Sequence, residues 1–226
     1  SYDIMRGAYL GPYFSEKEIQ IMNRSNKAIV SRYEDFNNLS SKVAKLISKG
    51  MVVGWFQGRS EFGPRALGNR SILADPRNPE MQKKLNLKIK YREGFRPFAP
   101  SVLQEDYTKY FEEDIISPYM LMVKNISDSI KVKIPDNYNK LDYWEKLYTK
   151  RSSLQAITHV DFSARIQTVS KDVNTKYWNL INDFKKISGV SVLVNTSFNV
   201  RGEPIVNSPE DAFRCFMNTE MDYLVI

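Results

Sequence analysis

Short apolar segments rich in β-branched residues alternate along this chain with segments of helical periodicity, and this alternation restricts the fold more than any other feature. The segments predicted as strands are 51–56, 71–74, 101–103, 119–123, 156–160, 165–169, 191–194 and 223–226. Helices are predicted from a capping box at 15–18 and over 35–50, 78–88, 176–188 and 209–217. Strands that alternate with helices build layered sheets, so the sequence predicts an α/β fold with a mixed sheet in one main domain.

The composition is that of a globular protein and argues against several other classes. Hydrophobic residues make up 42% and charged residues 26% of the 226 positions, so a core can form without a disulfide or a metal. No apolar run reaches the length of a membrane-spanning helix, and the start has no signal-peptide core, so we expect no membrane partner. The single cysteine favours a reducing compartment, and we expect the cytoplasm. The net charge of +7 favours an anionic partner without identifying it.

The first polar block is the segment 58–71, GRSEFGPRALGNRS, which lies between two predicted strands. Its three glycines let backbone amides approach an anion, and its three arginines can grip a phosphate with paired N–H donors. It is not a Walker-type loop, because no Gly-Lys-Ser/Thr follows. A surface loop with solvated arginines explains the spacing equally well.

The second block, IKYREGFRPFAP at 89–100, carries several cations at short intervals. Residues 92–100 are predicted to be extended, and in an extended segment Lys90, Arg92 and Arg96 would project to one side. Their mutual repulsion requires either a bound anion or compensation by Glu93 and Glu61. The alternative is an edge strand whose salt-bridged charges prevent aggregation, and the residues do not decide between the two.

The third block, THVDFSARIQ at 158–167, contains the only histidine of the chain. His159 is predicted to be structural, because a lone histidine without a Cys-x-x-Cys or His-Glu-x-x-His motif does not make a metal site. We therefore predict no metal-binding residues. Arg165 lies in a strand that is otherwise apolar, so it requires a buried anionic partner.

The fourth block, VNTSFNVRGEPIV at 194–206, places amide and hydroxyl groups directly after a buried strand. Ligands of α/β sheets bind at the carboxyl ends of strands, and Asn195 and Ser197 suit a ribose, an adenine edge or a phosphate oxygen. An ordinary turn of the same composition is the alternative. The blocks together offer cations and hydrogen-bond donors without a histidine relay or a carboxylate pair. That pattern favours phosphoryl or nucleotidyl transfer over proteolysis, glycoside cleavage or redox chemistry.

In sequence and in order, these four blocks resemble the C-terminal domain of the carbamoyltransferases, the family that includes nodulation proteins and antibiotic O-carbamoyltransferases. The resemblance covers about residues 9–226 and is weakest over 125–153, which the sequence also predicts to be a flexible insertion. It implies a YrdC-like fold, a twisted mixed β-sheet flanked by helices, for residues 31–226. Residues 1–30 would be a linker that follows an N-terminal domain missing from this chain.

The resemblance also implies the chemistry. Domains of this kind join carbamoyl phosphate and ATP into carbamoyl adenylate and pyrophosphate, with Mg²⁺ held on the triphosphate mainly by substrate oxygens. An actin-like N-terminal domain then transfers the carbamoyl group to a hydroxyl or amine. By this resemblance Lys90, Arg96 and Arg165 would be catalytic. The residues that would bind the substrates and the nucleotide are Arg65, Arg92, Asn195 and Ser197.

The main alternative is a basic YrdC-like module that binds RNA or a nucleotide without catalysis. Tyr91, Phe95 and Phe98 interleave with the cations of the second block, and bases stack on aromatic rings beside cations that bind phosphate. A partner domain whose site has decayed is a further alternative, but the complete set of polar residues argues against decay. With the resemblance, a nucleic-acid partner is the less favoured expectation.

Overall fold

Seven β-strands form one mixed sheet in the computed structural model, which describes residues 3–226. The strands are β1 (Val53–Phe56), β2 (Arg70–Ala74), β3 (Ala99–Leu103), β4 (Met122–Asn125), β5 (Ser163–Val169), β6 (Val192–Ser197) and β7 (Tyr223–Val225). Their order across the sheet is β4-β5-β3-β6-β2-β1-β7. The β1–β7 and β3–β5 pairs are parallel, and the other neighbouring pairs are antiparallel. The prediction of an α/β fold with a mixed sheet is confirmed.

Helices flank this sheet, and their ends carry the signals expected from the sequence. The α-helices of the described residues are α1 (Glu16–Ser25), α2 (Phe36–Ser48), α3 (Met81–Lys84), α4 (Tyr143–Tyr148), α5 (Thr175–Ser188) and α6 (Pro209–Met217). The capping box predicted at Ser15 begins α1, and a second capping box at Ser208 begins α6, which spans the predicted residues. Gly189 ends α5 in the left-handed conformation with φ +76°.

Apolar side chains cover both faces of the sheet. On one face, α2 and α5 pack against the central strands through side chains such as Ile47 and Phe184, which meet Trp55 and Leu193. The opposite face forms a second core with α6 and the region of α3. Because β1, β2 and β3 are buried along their whole length, a ligand can reach these central strands only at their ends and through the loops.

The helix predicted over 78–88 and the extended segment predicted over 92–100 differ from the structure. After four residues in α3, the chain continues as a π-helical turn over Leu85–Ile89. Tyr91 then adopts φ +47°, and the chain turns before β3 begins. The buried side chain of Asn86 donates to the carbonyls of Gly94 and Arg96, which draws the segment back onto the helix. A propensity argument could not anticipate this tertiary contact.

Two further strand predictions need correction. The strand predicted over 119–123 lies instead at β4, a shift of about three residues. The strand predicted over 156–160 is absent from the structure of these residues, which form a 3₁₀ turn over Gln155–Ile157 and a loop. The guanidinium of Arg151 donates to the carbonyls of Thr158 and His159, and these bonds occupy the backbone acceptors that a sheet would use.

The N-terminal part of the described chain lies against the domain. The Tyr9 hydroxyl donates to the carbonyl of Leu67, and Ser60 exchanges backbone hydrogen bonds with Gly11 and Pro12. Met22 of α1 is buried as well. The role of residues 1–30 as a linker stays a prediction, and residues 1–2 lie outside the described residues. None of the helices in residues 3–226 has the length and apolar character that crossing a bilayer requires.

Candidate active site

The strand register brings all four polar blocks to one end of the sheet. β3 begins at Ala99 opposite Asn195, and β6 ends at Ser197 opposite Ser71. Because β5 runs parallel to β3, its start, with Arg165, lies at the same end. The loops that precede β2 and β3, which hold the first and second blocks, therefore open at this end as well.

Arg165 and the loop that carries Arg65 lie together at this end of the sheet, and neither arginine has a carboxylate partner among the described residues. Burial, and then the nearby positive charge of Arg65, lower the pKa of Arg165 below its usual range. Neither arginine forms a salt bridge with any of residues 3–226, and the buried Nε of Arg165 has no hydrogen-bond partner among them. The anionic partner that Arg165 requires is thus absent from the described chain, and a ligand anion would supply it.

Asn195 lies beneath the loop that carries Arg65. Its Nδ2 is within hydrogen-bond distance of the Ala66 carbonyl (3.1 Å), Ser101 Oγ (3.1 Å) and Gln167 Oε1 (2.8 Å). Gln167 in turn donates to the carbonyl of Leu67 at 2.7 Å. Only 1% of Asn195 is exposed, so its side chain supports the loop in this structure rather than lining an open surface.

Lys90 reaches the end of β6 from the π-helical turn. Its ammonium donates to the carbonyl and Oγ of Ser197, and to the carbonyl (2.9 Å) and Oδ1 (2.7 Å) of Asn199. Burial, followed by the charge of Arg92, lowers the pKa of Lys90 to about 7, and the Cys215 thiolate form would oppose that shift. All these hydrogen-bond partners are uncharged acceptors, so none of them balances the charge of the protonated amine.

Sequence reasoning passed over Asn199, although a signal was present. Asn195, Ser197 and Asn199 recur at every second position, which is the period of side chains on one face of a strand. Ser197 Oγ also donates to Asn199 Oδ1 at 2.7 Å, so the two residues form one acceptor group for Lys90.

Arg92 and Arg96 sit on the loop next to Lys90. The Arg92 Nε donates to Asn86 Oδ1 at 2.7 Å, and its guanidinium lies 5.0 Å from the centre of the Phe98 ring. Burial, and then Arg96, lower the pKa of Arg92. Phe98 is buried beneath this guanidinium, so it does not offer a ring face to a base, and the nucleic-acid alternative loses one of its aromatic residues.

The two glutamates considered as compensating charges have different roles. Glu93 forms an ion pair with the exposed Arg96, whose Nε lies 2.9 Å from Oε2, and it lies 3.6 Å from Arg201. Glu61 instead accepts the backbone N–H groups of Leu67 (2.6 Å) and Asn69 (2.8 Å). Glu93 therefore offsets Arg96 within the second block and also lies near Arg201, whereas Glu61 holds the backbone of the first block in place.

The arginines of the first block also divide by role. Arg70 is almost fully buried over the ring of Phe56, 3.5 Å from its centre, and donates to the carbonyls of Gln57 and Gly58. Arg59 is exposed at the start of the loop. Arg65 is exposed as well, and among the three it is the one whose positive charge lowers the pKa of Arg165, so it is the candidate of this block for anion binding.

His159 belongs to a turn beside Arg165. Its Nδ1 lies 3.2 Å from Ser163 Oγ, and its backbone N–H donates to the Ser163 carbonyl. Burial lowers the pKa of His159, against the opposing charge of Asp161. These contacts fit the structural interpretation of His159. Among residues 3–226, no group of three His, Cys, Asp or Glu side chains is arranged to hold a metal ion.

A family model described as carbamoyltransferase C-terminus matches residues 44–226. The chain belongs to this family. Relatives match over most of the chain: protein sll1178 of Synechocystis is 55% identical over 99% of it, and nodulation protein NolO of Bradyrhizobium diazoefficiens is 41% identical over 96%. The 3'-hydroxymethylcephem-O-carbamoyltransferase of Amycolatopsis lactamdurans is 41% identical over 73% of the chain. The resemblance inferred from the four blocks is confirmed.

This carbamoyltransferase domain spans only part of the length of its relatives. The match covers 37% of sll1178, 37% of NolO and 27% of the cephem carbamoyltransferase. Among solved structures, the crystal structure of T. kodakarensis HypF matches 81% of this chain and 20% of its own, with a TM-score of 0.50 at 20% identity. At that identity the likeness concerns the fold alone, and it confirms the predicted fold class.

Proposed function

We propose that this domain forms carbamoyl adenylate from carbamoyl phosphate and ATP. The observation that carries the proposal is the buried Nε of Arg165, which has no hydrogen-bond partner within residues 3–226, at the sheet end that also holds Arg65, Lys90 and Arg92. Both substrates are polyanions, and several fixed cations are needed to hold them side by side. Membership of the carbamoyltransferase family limits the acyl group to carbamoyl.

The proposed reaction has two balanced steps. Water first cleaves carbamoyl phosphate into carbamate and inorganic phosphate. A carbamate oxygen then attacks the α-phosphorus of ATP, forming a new P–O bond while the bond to the bridging oxygen of pyrophosphate breaks with its electron pair. The domain would contribute positioning and charge stabilisation, because no described side chain at this sheet end forms a nucleophile–base pair.

Each cation has a proposed position. Arg65 and Arg165 would hold carbamoyl phosphate and its departing phosphate, because they are the pair without carboxylate partners. Lys90, Arg92 and Arg96 would offset charge on the transferring phosphoryl group. Ser197 would orient the adenylate by hydrogen bonds, and Asn195 would do so if the loop above it moved. Mg²⁺ would enter with ATP, held by phosphate oxygens, because the described residues provide no metal cluster of their own.

The length of the relatives supports a further domain in the complete protein. Since the match covers about a third of sll1178 and NolO (37% each), we propose that an actin-like N-terminal domain receives the adenylate and transfers the carbamoyl group to a hydroxyl or amine. Residues that select the acceptor would then lie on that domain.

The proposal predicts pyrophosphate release from ATP that depends on carbamoyl phosphate. Arg165→Gln is expected to lower that release at least tenfold, because it removes one fixed cation from the anion site. Arg59→Gln is the matched control, since Arg59 is exposed and is not among the charges that shift the pKa of Arg165. If the wild-type protein binds ATP in a calorimeter yet releases no pyrophosphate when carbamoyl phosphate is added, adenylate formation by this domain is wrong.

ATP affinity is expected to fall above pH 7. The pKa of Lys90 is lowered to about 7 by burial and Arg92, and a bound polyanion would raise it by favouring the ammonium form. Between pH 7 and the higher pKa of Lys90 in the complex, ATP binding is then accompanied by the uptake of a proton by Lys90. Affinity is therefore constant below pH 7 and drops by about tenfold or more toward pH 9. Calorimetric titration with ATP between pH 6 and pH 9 measures this dependence. The ATP affinity of Lys90→Arg should not change with pH, and a wild-type affinity that does not change with pH would contradict the mechanism.

A further inference from the structure

Four aromatic side chains stand in a contiguous, exposed row beside the arginines of loop 91–97. The members of this aromatic row are Phe95, Tyr143, Trp144 and Tyr148. Successive ring centres lie 6.3, 5.7 and 6.5 Å apart, and the last two rings are nearly parallel at 16°. Between 40% and 58% of each side chain is exposed, so the row is available to a ligand rather than part of the core.

The helix that carries most of the row is held firmly for its size. α4 has six residues, and it begins with a capping box between Asp142 and Glu145. At its other end, the fully buried guanidinium of Arg151 donates to the carbonyls of Lys146 and Leu147. Leu147 is its only buried residue. Because α4 buries one side chain, it contributes little apolar surface to the core. Its fixed ends instead hold its exposed aromatic rings in position.

The loop beside the helix is fixed by a second set of bonds. Gln82 donates to the carbonyl of Phe95 at 3.3 Å, and the buried Asn86 donates to the carbonyls on either side, those of Gly94 and Arg96. Arg92 is tied to the same Asn86 through its Nε. Because Phe95 of this loop contacts Tyr143 of the helix, the aromatic row lies next to the cations of the loop.

We propose that the aromatic row is the platform on which the purine base of the nucleotide stacks. This inference rests on the proposed function, which supplies the nucleotide. A nucleotide combines a flat π-face with an anionic tail, and the row and the adjacent arginines match those two parts. An apolar protein partner would cover the rings but leave Arg92 without an anion, since Glu93 pairs with Arg96 and not with Arg92. Three members of the row lie within 125–153, where the resemblance to the family is weakest, so base recognition would be a feature of this insertion.

Comparing the affinities for ATP and for inorganic tripolyphosphate separates the contribution of the nucleoside to binding from that of the phosphates. Trp144→Ala is expected to weaken ATP binding about tenfold or more, because stacking on one aromatic side chain is worth roughly that much, and to leave tripolyphosphate binding unchanged. The tripolyphosphate arm also reports whether the variant is folded. Trp144→Phe keeps a π-face and should retain most of the affinity. Tyr33→Ala, which removes an exposed aromatic ring outside the row, should alter neither ligand.

Tryptophan fluorescence gives an independent measurement. Trp55 is fully buried, and the indole N–H of Trp178 donates a hydrogen bond to Glu105. Quenching of tryptophan fluorescence by ATP supports the platform if tripolyphosphate does not cause it and if Trp144→Phe abolishes it. Equal affinity of the wild type for ATP and tripolyphosphate overturns it, as does an equal loss of both ligands in Trp144→Ala. A Trp144-dependent oligonucleotide affinity that exceeds that for ATP overturns it in favour of nucleic acid. If the wild type binds neither ligand, the proposed function itself fails, and the platform with it.

Discussion

Lys90→Met is expected to lower carbamoyl-phosphate-dependent pyrophosphate release at least a hundredfold. The Lys90 ammonium is almost completely buried, so its charge acts through a poorly screening environment and is preorganised toward the end of β6. Removing one preorganised donor of this kind costs roughly 10² to 10³ in rate. Methionine preserves much of the length and apolar character of the stem, and what is lost is the charge. Initial rates of pyrophosphate release at saturating ATP measure the effect.

Lys88→Met is the matched control for that experiment. Lys88 lies two residues away, but its ammonium is exposed and pairs with Glu220 at 2.8 Å, so its loss should change the rate less than twofold. Circular dichroism melting shows whether both variants are folded, because Lys90→Met leaves the acceptors of Ser197 and Asn199 without their donor. A folded Lys90→Met variant with wild-type turnover would remove Lys90 from the mechanism.

Gly68→Ala is expected to reduce the free energy of unfolding by about 3 kcal/mol or more. Gly68 has φ +106°, which disfavours a side chain, and an added Cβ would lie 2.1 Å from the Tyr177 ring. Tyr177 belongs to the fully buried cluster between α5 and the sheet, so its ring cannot move aside without disturbing that core. Urea unfolding with an unchanged m-value measures the loss.

Gly63→Ala separates the clash from backbone strain. Gly63 lies in the same loop at φ +141°, but an added Cβ there would meet no atom of the described residues within 4 Å. Its alanine variant should lose only about 1 kcal/mol, the cost of an unfavourable φ. Equal losses at the two positions would mean that contact with Tyr177 does not set the conformation of the loop.

The fold class and most helix ends follow from the sequence because their signals are local. Ser15, Ser208 and Gly189 act within a few residues of their own positions, and the helices that they begin or end lie at or within one residue of the predicted positions. The turn after α3 could not be predicted, because Asn86 holds it through carbonyls eight and ten residues further along. Arg151 likewise prevents a strand at 156–160 through bonds that sequence periodicity does not contain.

The candidate site shows the same division between local and long-range information. The four sequence blocks predicted Lys90, Arg165 and Ser197 as site residues. The register of the sheet, which the sequence does not contain, places them at one end. Whether a given arginine faces a ligand or braces a loop depends on its burial, which is why Arg70 and Arg65 differ although they share one motif. Spacing alone could not separate them.

The mutual repulsion of Arg65 and Arg165 has a practical consequence for finding the ligand. Two like charges held close together destabilise the ligand-free domain. An anion that binds between the two arginines therefore raises the melting temperature of the domain. An anion present at about a hundredfold above its dissociation constant adds about 2.7 kcal/mol, a shift of several degrees for a domain of this size. The shifts in melting temperature caused by carbamoyl phosphate, phosphate, pyrophosphate and ATP would therefore rank these candidate ligands without a turnover assay.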